Sequence, residues 1–528
     1  MLKSIVAFVG GRCKGDFAEQ EAWTDRPPKS AEIRERIKQR VSGILAFLDL
    51  PDDRRSLDDV ERGLVRLVFA LGRLLVAYYL ARREECSEDL VRPWLARGYS
   101  KRRKPERKYL NTFFGRVCFW RTYLRRKRRD GLHPLDVALE IPADGFTVWV
   151  SEMVARLSTL LTYEQVTAIM LYFLSWSPSK TSVEKAVLGL GRHTEAWFEA
   201  APPPKDDGEV LVVEIDSKAT PTATEEELAK RRRRRGEVPP ALSPRHRGRE
   251  KRARRGSKKR RSPSDRSKNG RAATILVLYT LKMAEDPEKR PVLLGPRNKR
   301  VYASYGPKRH AFVVARREAD KRGFSRDSGK LVQIVTDGDE DYERLSKEFF
   351  PEARHTLDVV HVLERLWEAA GVVFPEGSSE LTSWVKTQES LLYRGCERAV
   401  IEHVWELRAR ARGPGRKRLE EIHRYLAKRV HLMGYRELRR RDLEVASGAV
   451  EGAVRHVISK RFDNGSMRWI RERAQPLLQL RCIEINGDWD AFIQFVEARL
   501  KRESRKTGCP KRLLTTKPGQ IPPVEAAA

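Results

Sequence analysis

Apolar residues recur at helical spacing through the first part of the 528-residue chain, with one basic interruption. Residues 31–92 predict helices on either side of the polar break DLPDDRRSLDD. Within the basic residues 101–129, LNTFFGRVCFWRTYL alternates enough to predict one or two strands. Two apolar runs, Val166–Leu174 and Thr181–Leu190, then lie on either side of SWSPSK. They predict either a DNA-contacting helix-turn-helix or simply two packed helices.

The pattern changes beyond the proline-rich segment APPPKDDG, where short apolar strands alternate with helices. The predicted order is strand, strand, strand, helix, strand, helix, strand, helix. The segments are LVVEID (211–216), ATILVLYTL (273–281), KRVYAS (299–304), RHAFVVARREADKRG (309–323), LVQIVTD (331–337), DEDYERLSKEFF (339–350), ARHTLDVVH (353–361) and VLERLWEAA (362–370). This succession predicts a ribonuclease H-like α/β fold, in which the second strand pairs antiparallel with the first and the fourth pairs parallel with it.

Two strands in this order end in an acid, Asp216 and Asp337. Parallel neighbours end at the same sheet edge, so we expect these carboxylates to lie side by side. Facing carboxylates repel each other, and a divalent cation between them relieves the repulsion. Oxygen ligands suit Mg²⁺, and two such ions support phosphodiester chemistry. The alternative is that acids at strand ends serve loops and helix caps, as Asp339 can for the following helix.

The formal net charge of +33 indicates a polyanionic partner, with nucleic acid favoured over an anionic membrane surface. About half of the excess lies in residues 230–271, where 20 Lys and Arg face three acids. Such a segment cannot bury a core, and we expect it to be disordered until it meets phosphate. The composition of this segment indicates that it binds a polyanion but does not indicate which one.

The six cysteines include no CxxC pair, which argues against a zinc ribbon or a disulfide scaffold and fits a reducing cytosol. Residues 64–83 are apolar enough to suggest a membrane span, but Arg66 and Arg73 interrupt them. We therefore expect an amphipathic core helix there. The predicted location is the cytoplasm, in association with the nucleoid, without membrane contact.

Three segments carry a family resemblance: LVVEIDSKA, QIVTDGDEDYERLSKEFFPEARHTLDVVHVLERLW and SGAVEGAVRHVISKRFDNGSMRWIRERAQPLLQLRCIEINGDWD. They resemble the transposases of bacterial insertion sequences of the ISKra type, relatives of the Mutator-like DDE transposases, over roughly residues 105–500. The resemblance implies two aspartates and a glutamate that bind two Mg²⁺ or Mn²⁺ ions, with a helical insertion before the glutamate. Matched by motif, these are Asp216, Asp337 and Glu451. The chain departs from the family in Ser217, where many relatives carry glycine, in its long basic insertion, and in lacking paired N-terminal cysteines.

The third acid has to be chosen from several that follow the insertion: Glu437, Asp442, Glu444, Glu451 and Asp463. Glu451 is favoured because Ser447 can cap its helix and because it shares a side with Val454 and Ile458. A carboxylate drawn toward buried surface needs a partner, and a metal ion is a natural one. The alternative is an exposed pair with Arg455 one turn on.

Two further sets of residues are candidates around this centre. Asp358 and His361 form a D-x-x-H pair that is similar to the [C/D]-x-x-H motif of Mutator-like transposases. The pair either supports the site or contacts scissile DNA, unless His361 merely bonds locally. The predicted phosphate contacts, for which a solvated basic face is the alternative, are Arg455, Lys460, Arg461 and Arg468.

The predicted organisation places a mainly helical DNA-binding region before a catalytic domain that an all-α insertion interrupts. The segments are 1–135 (helical and basic), 136–200 (helical, possible helix-turn-helix), 205–368 (catalytic, with 230–271 disordered), 369–445 (all-α insertion), 446–500 (helices completing the catalytic domain) and 501–528 (basic, disordered tail).

The predicted function is Mg²⁺-dependent cleavage at element ends and strand transfer to target DNA, by a dimer or higher oligomer on double-stranded DNA. The alternatives are a retired or domesticated DNA-binding protein on the same scaffold, or a ribonuclease H-like nuclease or resolvase.

Overall fold

The computed structural model describes residues 26–50, 55–127, 129–143, 145–174, 176–222, 270–463 and 469–507. The described residues are mixed α/β and fall into two compact units. The first lies within Met1–Glu199 and Gly487–Ile521, and the second lies within Ala200–Asn486. The predicted disorder of 230–271 falls outside the described residues, except that its last two residues begin a strand.

The first unit combines helices with small antiparallel sheets. Its elements are α1 (Ser30–Leu48), α2 (Leu57–Glu85), α3 (Glu88–Leu95), β1 (Ser100–Lys101), β2 (Glu106–Thr112), β3 (Gly115–Arg121), β4 (Leu124–Arg126), β5 (Arg129–Leu132), α4 (Pro134–Ala138), α5 (Val148–Leu160), α6 (Tyr163–Leu174), α7 (Lys180–Gly191) and α8 (Thr194–Ala200). The strands predicted in the basic segment are confirmed, since β2 and β3 pair antiparallel along their whole length. The two helices predicted around SWSPSK are confirmed as α6 and α7.

Helix α2 is the longest described helix of the first unit. By length and composition alone it could span a membrane, since its most apolar window has a mean hydropathy of 1.8. One face, however, packs Ala77 and Leu80 into a core with Leu110 and Phe119 of the β2–β3 hairpin. Gly72 allows the same hairpin to approach, because a Cβ there would overlap the ring of Phe114. Only 17% of the apolar window is buried, and Val65, Val68, Leu75 and Tyr79 are exposed, so the predicted amphipathic core helix is confirmed for one face only.

The last described helix, α19 (Trp489–Thr507), packs on the first unit. The rings of Trp489 and Trp197 lie 6.2 and 6.3 Å from that of Phe492, and the Trp489 indole donates to Glu152 at 3.2 Å. The predicted domain 446–500 is therefore divided after Asn486. The predicted disordered tail from residue 501 is helical as far as Thr507, and its remainder lies outside the described residues. The predicted regions 1–135 and 136–200 form one unit.

A buried ion network ties β2 and β3 to helix α4. Asp136 accepts from Lys108 Nζ at 3.1 Å and pairs with Arg121, and Lys108 also donates to the Pro142 carbonyl at 2.6 Å. The side chains of Lys108 and Asp136 are only 7% and 3% exposed. Burial lowers the pKa of Arg121 to about 10. The carboxylate is thus the counter-ion that makes two buried cations tolerable.

The second unit is built on a mixed five-stranded sheet whose order is β10-β9-β6-β7-β8. Its elements are β6 (Val210–Pro221), β7 (Gly270–Glu285), β8 (Pro291–Ser304), α9 (Lys308–Lys321), β9 (Leu331–Thr336), α10 (Glu340–Phe349), β10 (Arg354–Leu357), α11 (Val359–Val373), α12 (Ser379–Tyr393), α13 (Glu397–Leu407), α14 (Gly413–Arg429), α15 (Tyr435–Arg440), α16 (Gly448–Ala453), a π-helical turn (Val454–Ser459), α17 (Lys460–Phe462) and α18 (Arg471–Ile485). Helices α12 to α15 occupy the predicted all-α insertion.

The predicted strand pairing is confirmed. Strand β6 pairs antiparallel with β7 and parallel with β9, and β10 joins β9 in parallel. Strand β8 begins at Pro291, earlier than predicted, and forms one sheet edge. Helix α18 packs on that edge, where the Asn486 amide bonds both the N–H and the carbonyl of Val301 at 2.8 and 3.0 Å. The other edge is β10, whose strand direction matches β6 and β9.

We expect Asp136→Asn to destabilise the first unit by about 3–5 kcal/mol, because it leaves two buried cations without a counter-ion. Urea unfolding followed by circular dichroism measures this loss. The matched control is Glu32→Gln, which breaks the exposed Arg26–Glu32 pair and should change the free energy of unfolding far less. Equal losses for both variants would contradict the assignment.

Candidate functional site

An aspartate lies on each of three neighbouring parallel strands at one edge of the large sheet. Asp337 and Asp358 follow β9 and β10, whereas Asp216 lies inside β6, which continues to Pro221 beyond the predicted end at residue 216. The β6–β9 register runs from Val210↔Leu331 to Glu214↔Val335. Continued by two residues, it sets Asp216 level with Asp337. The β9–β10 register ends at Thr336↔Leu357, so Asp358 follows at the same level, and its N–H donates to the Thr336 carbonyl at 2.9 Å.

Asp216 carries the electrostatic signature of a crowded acidic site. Burial raises the pKa of Asp216 above its usual range, and the carboxylates of Asp337 and Glu451 raise it further. The N–H of Ser217, which donates to Asp216 Oδ1 at 2.6 Å, and the ring of His361 lower it. Strand β9 and helix α16 therefore place Asp337 and Glu451 within electrostatic range of Asp216.

The backbone after β9 is held by the helical insertion. Tyr425 donates its hydroxyl to the Asp337 carbonyl at 2.7 Å, and Arg429 Nε donates to the Gly338 carbonyl at 2.5 Å. Gly338 has φ +80°, and a Cβ there would lie 2.6 Å from Leu357 Cδ1 and 2.9 Å from Arg429 Cδ. Helix α14 thus fixes the turn that presents Asp337.

The next turn is fixed by polar contacts of helix α10. Asp339 caps this helix as predicted, accepting from the Asp341 N–H at 2.9 Å, and it pairs with Lys308 at 2.7 Å. The buried Tyr342 hydroxyl lies 2.6 Å from Ser217 Oγ, beside Asp216. Asp337 Oδ1 in turn accepts from the Asp339 N–H at 3.0 Å, and the charge of Asp337 contributes to the raised pKa of Asp216.

Asp358 is fully buried and supports the site through two hydrogen bonds. One oxygen caps helix α11 by accepting from the Val360 N–H at 2.8 Å. The other accepts from the hydroxyl of Ser447, at the start of helix α16. The predicted capping of α16 by the Ser447 side chain is wrong, because that hydroxyl is used for Asp358.

Glu214 is a buried carboxylate that the sequence-based prediction missed. It lies two residues before Asp216 in β6 and is 0% exposed. One oxygen accepts from the Tyr279 hydroxyl and the other from the Val450 N–H, both at 2.7 Å. Burial raises the pKa of Glu214 to about 7. The available signal was a single acid inside the otherwise apolar strand LVVEID.

Glu451 lies in the first turn of α16, and its N–H donates to the Ser447 carbonyl at 3.1 Å. Glu451 is exposed, so the prediction that its carboxylate lies against buried surface is wrong. The α-helix gives way to a π-helical turn at Val454, which rotates the apolar stripe that the 3.6-residue period assumed. A Cβ added at Gly448 or Gly452 would meet nothing within 4 Å, so the surroundings of Glu451 are open.

His361 faces the same edge from helix α11. Its Nδ1 lies 3.0 Å from Glu364, and its Nε2 lies 3.9 Å from Asp358. The side chain is 32% exposed. The ring of His361 therefore bonds locally, which was the alternative to a role in the site. It also lies near enough to Asp216 to lower the pKa of that carboxyl.

The four predicted phosphate contacts have different positions. Arg455 and Lys460 are exposed on the turn that follows Glu451. Arg461 is 2% exposed, with its guanidinium 4.8 Å from the ring of Trp469, so its prediction as a DNA contact is wrong. Arg468 lies outside the described residues.

The donors at this edge suit a hard divalent cation, since carboxylate oxygens are the ligands that Mg²⁺ and Mn²⁺ prefer. The raised pKa of Asp216 is the observation that fits such an ion, because positive charge there would offset mutual repulsion. Within the described ranges, no three His, Cys, Asp or Glu side chains are already gathered in a metal-holding cluster. Asp216, Asp337 and Glu451 are the residues that would hold the ion.

Comparison with protein-family models finds no match, and neither does comparison with curated proteins. The functional interpretation therefore depends on the geometry of this edge. Its features are two aspartates at the same level on parallel strands and a glutamate on a helix that is hydrogen-bonded to the same sheet. In addition, the helical insertion donates hydrogen bonds to the turn after β9.

Divalent cation should stabilise the second unit if these carboxylates hold it. We expect Mn²⁺ at about 100 Kd to add about 2.7 kcal/mol to the free energy of unfolding. Thermal unfolding with and without Mn²⁺ measures the gain, which Asp216→Asn should remove. Asp341→Asn, an exposed acid on helix α10, should keep it. A gain that survives Asp216→Asn would place the ion elsewhere.

Gly338→Ala should weaken Mn²⁺ binding by about 10–100-fold, because the new Cβ displaces the turn that carries Asp337. Gly329→Ala is the matched control, since Gly329 also has positive φ (+68°) but a Cβ there would meet nothing within 4 Å. Electron paramagnetic resonance of free Mn²⁺ measures both affinities. Equal effects would show that backbone strain alone, and not the clash, explains the change.

Proposed function

We propose that this chain is a DDE transposase of a bacterial insertion sequence, with a ribonuclease H-like catalytic domain in its second unit. The observation that carries the proposal is the level register of Asp216 and Asp337 on parallel strands, with Glu451 near enough for its charge to help raise the pKa of Asp216. Acids in such proximity are costly to maintain without a cation. Phosphodiester chemistry on a polyanion is the use that agrees with a net charge of +33.

The sheet supports the same proposal. Strands β6, β7 and β8 pair antiparallel in succession. Strands β9 and β10 then extend the sheet in parallel from the other side of β6, which gives the order β10-β9-β6-β7-β8. This is the order expected of a ribonuclease H-like domain. The helices α12 to α15 separate Asp337 from Glu451 in sequence, as the family resemblance implies for an inserted domain.

Asp216, Asp337 and Glu451 would hold two Mg²⁺ or Mn²⁺ ions, which when bound supply Lewis-acid activation of the attacking oxygen and charge compensation at the leaving oxygen. The protein's own contribution is placement. Sheet register sets the two aspartates level, and Tyr425 and Arg429 orient the turn after Asp337.

The reaction consists of two displacements at phosphorus. Water first replaces the 3′ oxygen of the strand at the element end, which breaks one P–O bond and forms another. The freed 3′-hydroxyl then displaces an oxygen in target DNA and so joins the two strands. No covalent protein–DNA bond is required, which agrees with a site built from carboxylates.

The DNA would approach this edge from the exposed side of helix α16. Glu451 is exposed there, the glycines around it are open, and Arg455 and Lys460 follow on the same segment. Contacts from such cations go to phosphate and carry no sequence information. Because two element ends are processed together, we infer at least two copies of the chain on DNA.

Cleavage should require both the metal and the third acid. With Mg²⁺ or Mn²⁺ the protein should nick DNA that carries its element's ends, and Glu451→Gln should reduce nicking to the level seen in EDTA with DNA affinity retained. Glu437→Gln, which removes an exposed acid of helix α15, should leave nicking near normal. Sequencing-gel analysis of end-labelled DNA measures the products.

Two outcomes would contradict the proposal. Equal nicking in EDTA would exclude the metal-dependent mechanism, and binding without nicking by the unaltered protein would favour a retired DNA-binding scaffold.

A further inference from the structure

We propose that Glu214 is a positioning residue for Glu451, whose carboxylate sets the distance between helix α16 and the metal-binding edge of the sheet. The inference rests on the proposed function for the role of Glu451, but its own evidence is the hydrogen bonding of Glu214. No oxygen of Glu214 is free to bind a ligand, because both are occupied within the protein.

Glu214 and Asp216 lie on the same face of strand β6, since side chains two residues apart point the same way. Glu214 is the last residue of β6 that pairs with β9 and is 0% exposed, whereas Asp216 lies just beyond that pairing. A buried carboxylate is costly unless its oxygens are satisfied. Here the Tyr279 hydroxyl satisfies one and the Val450 N–H satisfies the other, each at 2.7 Å.

The Val450 contact transmits position directly to Glu451. Val450 lies in the first turn of α16, where N–H groups have no acceptor within the helix. Glu214 supplies that acceptor, and the next residue in the chain is Glu451. A displacement of the Glu214 carboxylate therefore moves the backbone that carries the third acid.

A second anchor holds the same helix start from another strand. Ser447 donates its hydroxyl to Asp358, which follows β10, and the Val359 N–H donates to the Val445 carbonyl at 2.9 Å. Glu214 of β6 thus holds Val450, just inside α16, and Asp358 after β10 holds Ser447, just before it. The two strands lie on either side of β9. The α-helix ends at Ala453, where the Val454 N–H donates to the carbonyls of Glu451 and Val450 before the π-helical turn.

The test compares two variants that remove different hydrogen bonds of the same carboxylate. Glu214→Leu leaves the Val450 N–H without its acceptor, whereas Tyr279→Phe removes the hydroxyl that Glu214 and Glu444 share and leaves the Val450 contact intact. Mn²⁺ affinity is measured without DNA by electron paramagnetic resonance, so its result stands whether or not the protein cleaves DNA. Hydrogen exchange of residues 450–453 in the metal-free protein reports the helix start directly.

We expect Glu214→Leu to weaken Mn²⁺ binding by about 10–100-fold and to accelerate exchange at Val450, with Tyr279→Phe near the unaltered protein in both. Where cleavage is measured, Glu214→Leu should lower kcat with little change in KM for DNA. Glu214→Asp, which keeps the charge but is one methylene shorter, is a second variant that should weaken Mn²⁺ binding in the same way if Glu214→Leu does not fold.

Unchanged Mn²⁺ affinity in both Glu214 variants would overturn the proposal and leave the carboxylate a purely structural role. Equal losses in Glu214→Leu and Tyr279→Phe would do the same. Absence of cleavage by the unaltered protein, with the Mn²⁺ results as expected, would overturn the proposed transposase activity and keep the positioning role.

Discussion

Repulsion between carboxylates at one sheet edge is the constraint on which the site depends. Parallel register sets Asp216 and Asp337 level, and neither strand can shift without breaking the hydrogen bonds of a buried sheet. The third acid arrives on a helix from much later in the chain, so it needs attachments of its own. Buried carboxylates supply them, with Glu214 bound to Val450 and Asp358 bound to Ser447. Acids thus act here both as candidate ligands and as anchors.

The helical insertion contributes to the same edge, although in sequence it separates the second acid from the third. Tyr425 and Arg429 bond the carbonyls of Asp337 and Gly338, and the Tyr435 hydroxyl donates to the Leu357 carbonyl at 3.0 Å. The turns after β9 and β10 are therefore held from the insertion side. Removing the insertion would expose these carbonyls and free the turn that presents Asp337, so the inserted helices support the candidate site as well as interrupting it.

Much of this edge is predictable because local patterns encode it. Apolar runs that end in Asp216 and Asp337 indicate both the strands and the acids, and strand order follows from their succession. The misses have non-local causes. The π-helical turn after Ala453 changes the helical period, which left Glu451 exposed and Arg461 buried. Ser447 bonds Asp358 across the fold, and helix α19 packs on Trp197 of the first unit, which no spacing along the chain reveals.

Strand transfer is the most direct measure of the central claim, because joining of DNA ends separates a transposase from a nuclease or a DNA-binding protein. A duplex that carries the element's terminal sequence with a free 3′-hydroxyl is incubated with the protein, Mg²⁺ and a supercoiled plasmid. The account predicts covalent joining of the labelled 3′ end to the plasmid, with no joining by Asp337→Asn. Plasmid nicking without any labelled joint product would contradict it.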